Sequence, residues 1–315
     1  MRIQKNIRRI KRAEKTGAKR LKAVQFLLFL LCSTLTTLNI SAAQSNAAPS
    51  LTNSSLRIVS LSPTATEDLF AIGAGKFVVA TDSYSYYPKQ APVTQLEAYN
   101  PNVEAIVAYK PTLVVMQSTA TGVSAVVKQL AALHIRSYVE VTPDNITGAY
   151  AEMEDLGKLT GFSKGAHTLI SSMKSRIAQI LSTVKIGHSL SFYHELDNTY
   201  YSITSDTFIG KVYKDFGLTN IADAAASADD GGYPQLQSEY IVKSNPQIIF
   251  LADGNAPDGN ENYTTVKKRA GWSNIAAVKK NNVISLPSDI PSRWGPRLVN
   301  FYGFVAKSIL RVEGK

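Results

Sequence analysis

A single cysteine, Cys32, stands in the 315-residue chain, so no intramolecular disulfide can form and no thiolate cluster can hold a metal. Histidine is also scarce. His134, His167, His188 and His194 show no H-x-H or H-x-x-x-H spacing, whereas a receptor for a bare metal ion needs three or four converging ligands. There is no G-x-S-x-G elbow and no G-x-x-x-x-G-K phosphate loop. His194-Glu195-Leu196-Asp197 could serve a hydrolase as an acid–base or metal group, but the second histidine of H-E-x-x-H is missing. These absences argue against an enzyme and against a resident cofactor.

Basic charge is missing from most of the chain as well. The formal net charge is +10, yet residues 1–22 hold ten Lys or Arg against the one acid Glu14, which leaves only +1 for residues 23–315. A nucleic-acid partner requires a basic face on the folded part, so none is expected. What the N-terminus does have is a basic segment, a short apolar run (Ala23–Cys32) and a small-residue site at Ser41-Ala42-Ala43. That order reads as an export signal over residues 1–43, with an uncleaved anchor as the alternative. Cys32 lies where a lipid-modified cysteine would lie, but Leu30-Leu31 ahead of it are bulky for such processing. The protein is therefore expected outside the cytoplasm, in a periplasm or on the outer face of the cytoplasmic membrane. Residues 44–55 (QSNAAPSLTNSS) are small and polar, as in a flexible linker.

From Arg57 onward short apolar runs alternate with helical patterns, which predicts parallel sheets covered by helices. Thr64-Ala65-Thr66-Glu67 reads as a capping box, a sufficient structural role for Glu67. The alternation stops at Ile146–Val184, a long helical region apart from Gly157, Gly161 and Gly165, and resumes from Leu190. The predicted organisation is an N-terminal α/β lobe (56–160), a long connecting helix (161–186) and a C-terminal α/β lobe (187–315).

The two lobes share a phrase. VEAIVAYKPTLVVM from Val103 matches SEYIVKSNPQIIFL from Ser238, which aligns Glu104 with Glu239 and Pro111 with Pro246. The apolar and proline positions are explained by folding. The glutamates are acids in a first helical turn, favoured there by roughly 0.3–1 kcal/mol.

With RIVSLSPTATEDLFAIGAG and the aromatic loop DSYSYYP, this phrase resembles the iron-siderophore and vitamin B12 class of substrate-binding proteins of ABC importers. The resemblance runs from about Arg57 to Leu310. It implies two α/β lobes with parallel-type sheets joined by one long rigid helix, a ligand held between the lobes, and a monomer. It implies as partners a permease with its ATPase, the membrane being reached through the permease or an N-terminal anchor. Glu104 and Glu239 match the acids by which such proteins dock on permease arginines. Tyr84, Tyr233, Asp289 and Arg293 match the lining of a cleft for cobalamin, a ferric siderophore or haem, and Tyr86, Tyr201 and Trp294 join them as aromatic residues on loops at strand ends, where α/β folds bind ligands. The pattern departs from vitamin B12 binders in lacking a Trp ahead of Glu104 and in having Gln117 where an aromatic is expected. A ligand sensor that docks on a receptor, or a bare metal-ion binder, is the alternative reading.

Overall fold

Buried strands with apolar residues on both faces form the centre of each half of the molecule. The computed structural model describes residues 55–254, 261–287 and 289–314. The expected export signal, Cys32 and the linker up to residue 54 lie outside the described residues. Five strands, β1 (Ile58–Leu61), β2 (Val78–Asp82), β3 (Val93–Leu96), β4 (Leu113–Gln117) and β5 (Arg136–Glu140), form one parallel sheet in the order β3-β2-β1-β4-β5. Four more, β6 (Ser191–Glu195), β7 (Thr219–Asn220), β8 (Ile248–Leu251) and β9 (Val283–Ser285), form a second parallel sheet in the order β7-β6-β8-β9. The fold is α/β. Parallel sheets are covered on both faces, and alternate residues of the same strand enter different cores. Ile58, Leu113 and Val115 pack with Leu69 and Leu156, while Val59, Val114 and Met116 pack with Ile106 and Leu130.

The helices of the first half are α1 (Pro63–Ala71), α2 (Val103–Val107) and α3 (Val123–Ala132). Between the sheets run α4 (Ile146–Thr160) and α5 (Ser163–Thr183), and the second half carries α6 (Phe208–Asp215), α7 (Ser238–Ser244), α8 (Tyr263–Lys268), α9 (Ala276–Lys279) and α10 (Leu298–Val312). At 21 residues α5 is about 31 Å long. Its first turns bury Ala166 in the core of the first sheet, and its later turns bury Ile170, Met173 and Ile177 in the core of the second. The chain reaches this crossing by close backbone contact. A Cβ at Gly165 would lie 1.9 Å from the Ile72 carbonyl oxygen, and one at Gly157 would lie 2.8 Å from Ala166 Cβ.

The helical region from Ile146 is two helices divided at Gly161, which adopts φ 80°, a left-handed cap that ends α4 and turns the chain into α5. Two local features differ from the sequence expectation. The edge strands β3 and β7 were not foreseen, being short and mostly polar. The first helix also starts earlier than the Thr64 capping box implies. Ser62 is its N-cap, accepting from Ala65 N at 3.2 Å, with Pro63 in the first turn. Glu67 is thereby released from capping.

Candidate functional site

Open α/β sheets bind ligands outside the carboxyl ends of their strands, and here the loops leaving those ends in both halves approach one another. After β2, the Asp82 carboxylate accepts from Tyr84 N at 2.8 Å and from Ser85 Oγ at 2.6 Å. This turn projects Tyr84 and Tyr86 outward, each about half exposed. Tyr84 meets Tyr99 edge-on at 6.2 Å between centroids. After β6 the chain pairs back on itself. Leu196 N donates to Tyr201 O at 2.9 Å, Ser202 N to Pro234 O at 2.9 Å and Thr204 N to Gly232 O at 2.8 Å. These bonds bring Tyr201 and Tyr233, both exposed, onto one surface of the second half. Tyr200 turns the other way and stacks on the buried Trp272 at 5.7 Å.

The segment after β9 reaches across to the first half. Arg293 Nη1 donates to Glu67 Oε1 at 2.9 Å, and Arg297 donates to both Glu67 oxygens at 2.6 and 2.8 Å. Asp289 accepts from Arg297 Nη2 at 2.6 Å and stands within 3.5 Å of Arg293. Partial burial works against the Asp289 charge, but the two arginines outweigh it and hold the carboxyl below its usual range. Tyr86 Oη reaches toward Asp289 Oδ2 at 3.4 Å. Trp294 turns into the junction of the halves, where its Nε1 donates to Glu152 Oε2 at 2.8 Å and its ring meets Phe208. Of the seven predicted lining residues, Tyr84, Tyr86, Asp289 and Arg293 form one group and Tyr201 and Tyr233 another, with Trp294 behind them. Glu67 and Glu152 were missed. Glu67 could have been suspected from Ser62-Pro63, which already supplies a helix start.

Behind the junction sits a set of buried acids. Burial raises Asp68 well above the carboxylate range, with Glu140 and Glu67 adding to the rise. Burial likewise raises Glu140, and it raises Glu152 to about 11, the neighbouring Glu140 contributing next. With its carboxyl raised to about 11, Glu152 is neutral at pH 7. No group of three His, Cys, Asp or Glu side chains among the described residues is arranged to hold a metal.

His194 and Glu195 are committed elsewhere. Burial lowers His194 to about 3, and its Nδ1 lies 2.8 Å from Tyr213 Oη. Glu195 accepts two bonds of 2.6 Å from Arg269, whose guanidinium lies 5.3 Å from the Tyr200 ring and 4.5 Å from the Trp272 ring.

Next to Tyr233 a groove of about 770 Å³ opens between residues 142–144 of the first half and residues 204–208 and 231–233 of the second, within the size range of ligand pockets. On the outer surface Glu104 and Glu239 each occupy the second position of their helices, α2 and α7, and both are exposed. Neither makes an ion pair among the described residues. The repeated phrase is repeated in space, since Ile106 and Ile241 are each buried before the central strands β4 and β8.

Two parallel sheets whose carboxyl-end loops meet, tied by a helix buried in both, define a two-lobed α/β binding protein. The chain belongs to the periplasmic binding protein family, whose model matches residues 58–290. It is 33% identical over 260 residues to an uncharacterised ABC transporter substrate-binding lipoprotein of Bacillus subtilis, covering 80% of this chain and 79% of the relative. It is thus an ABC transporter substrate-binding protein. A cobalamin-binding protein of Halobacterium salinarum is 27% identical over 262 residues, 81% of this chain and 69% of that one. Among solved structures, a possible iron-binding, periplasmic solute-binding protein of Staphylococcus epidermidis superposes with a TM-score of 0.69 at 25% identity, covering 80% and 98%. No helix among the described residues is long and apolar enough to cross a membrane.

Proposed function

We propose that this substrate-binding protein captures a metal chelate between its lobes, a corrinoid such as cobalamin or else a ferric siderophore or haem, and delivers it to a membrane permease. The observation that carries the reading is the set of exposed tyrosines on the facing loops, Tyr84 and Tyr86 from one lobe and Tyr201 and Tyr233 from the other. Tyrosine offers a flat apolar face with one polar end, and a wide macrocycle or chelate can cover several such faces at once. Asp289 and Arg293 would meet the polar edge of the ligand, with Trp294 shaping the pocket from behind. The cobalamin-binding relative and the iron-binding neighbour support this ligand class.

In this reading residues 56–160 form the first lobe, residues 161–186 the rigid connector and residues 187–315 the second lobe. Residues 1–43 are an export signal and residues 44–55 a tether. The protein works as a monomer outside the cytoplasmic membrane, and Glu104 and Glu239 dock on the permease, which is driven by its ATPase. Native mass spectrometry of residues 44–315 with cyanocobalamin, haem and ferric catecholate and hydroxamate complexes tests the ligand. A one-to-one complex with one of these is expected. Binding of none of them, together with binding of a free metal ion, would overturn the reading.

A further inference from the structure

Arg293 and Arg297 belong to the second lobe, yet their strongest partner is one carboxylate of the first. Glu67 is 2% exposed and receives three charged hydrogen bonds of 2.6 to 2.9 Å from the two guanidinium groups. Asp289 takes a fourth, from Arg297 at 2.6 Å, and Arg293 Nη2 also donates to the Tyr84 carbonyl at 3.1 Å. The outer faces of the same guanidinium groups carry tyrosine rings, Tyr86 at 5.1 Å from Arg293 and Tyr87 at 4.2 Å from Arg297. Two cations therefore meet two anions, and the aromatic wall rests on the neutralised cluster. A buried arginine without its carboxylate would seek another anion, since an unpaired buried charge is costly. An anionic ligand edge would satisfy it with the same bidentate geometry.

Resting on the reading that the ligand lies against Tyr84 and Tyr86, we infer that Glu67 is a positioning residue that sets ligand class. Together with Asp289 it cancels Arg293 and Arg297 and leaves this wall no net charge, so the cleft favours a chelate whose edge carries amides or hydroxyls over a polyanionic one. It also fixes the two arginines on which Tyr86 and Tyr87 lie.

Two variants and two readouts test this. Glu67→Gln keeps the volume and one acceptor and removes the charge. Arg297→Gln removes one cation instead. The ratio of affinities for a trianionic ferric tris-catecholate and for neutral cyanocobalamin is measured by fluorescence quenching. It should rise about tenfold in Glu67→Gln and fall in Arg297→Gln, the size expected of one charged hydrogen bond. Opposite signs are the mark of charge selection, because a purely structural role would lower both affinities in both variants. Should Glu67→Gln fail to fold, the direction of change in Arg297→Gln decides alone.

The second readout needs no ligand. Labelling with phenylglyoxal, mapped by peptide mass, should modify Arg293 and Arg297 far more slowly than the exposed Arg176 in the natural protein, and severalfold faster in Glu67→Gln than in the natural protein. If the natural protein binds neither probe, the chelate reading is left to the haem and hydroxamate complexes, and the labelling alone judges the cluster. Labelling of Arg293 and Arg297 as fast as Arg176, or an unchanged affinity ratio in a natural protein that binds a probe, would overturn the inference.

Discussion

The fold moves the charge state of Glu152 far from that of an ordinary carboxyl. Its carboxyl is buried, stands beside Glu140, and rises to about 11. An acid whose folded pKa lies above its unfolded value favours the folded state at low pH, and that contribution is lost as pH rises from the unfolded value toward the folded one. Between about pH 5 and pH 11 Glu152 therefore makes the protein progressively less stable. Glu152→Gln is expected to match the natural protein near pH 4 and to melt higher at pH 9. Each pKa unit corresponds to about 1.4 kcal/mol, and each kcal/mol to roughly 2–4 °C in a protein of this size class. Glutamine keeps an acceptor for Trp294 Nε1, so the comparison isolates the charge. Scanning fluorimetry across pH checks it, and a pH-independent difference would refute it. His194 runs opposite in sign. Its lowered pKa of about 3 removes stability as pH falls below its unfolded value near 6.5. The tyrosines belong to the same scale: Tyr201→Ala and Tyr233→Ala should each weaken chelate binding about tenfold, near 1.4 kcal/mol, without lowering the melting temperature.

At the scale of elements, the close crossing of α5 over the first lobe allows little adjustment. Gly165→Ala would drive a methyl into the Ile72 carbonyl, and a loss of about 1–3 kcal/mol is expected from this overpacking, read by chemical denaturation. Gly187→Ala, where nothing lies within 4 Å, is the control. The alternating strands and the long α5 were legible because parallel, doubly covered strands are continuous apolar runs and a buried helix repeats its apolar positions. Ile170, Met173 and Ile177 carry that signal plainly. The break at Gly161 was visible only as a glycine, since its left-handed φ is decided by where α4 must turn. β3 and β7 were invisible, because a short edge strand such as VTQL draws its identity from the neighbour it pairs with. In the site, the tyrosines of the DSYSYYP loop could be picked out by type. The partnership of Glu67 with Arg293 could not, since the two stand 226 residues apart and the apparent Thr64 capping box already gave Glu67 a local explanation.

For the whole molecule, two exposed glutamates mark equivalent positions of the two lobes, and exposed interfacial charges govern encounter more than final affinity. Glu104→Arg with Glu239→Arg should leave chelate affinity unchanged and abolish uptake in vesicles carrying the permease, each single change being milder. Full uptake by the double variant would rule out the docking role.

One feature of α5 reaches beyond binding. Because a single helix contributes Ala166 to one core and Ile177 to the other, neither half can lose its packing without stripping side chains from its neighbour. Melting should then be one event. In differential scanning calorimetry the calorimetric and van't Hoff enthalpies should agree, and a ligand touching only the cleft should delay the loss of structure in both sheets together. Two resolved transitions would mean that the helix tethers the halves without coupling their unfolding.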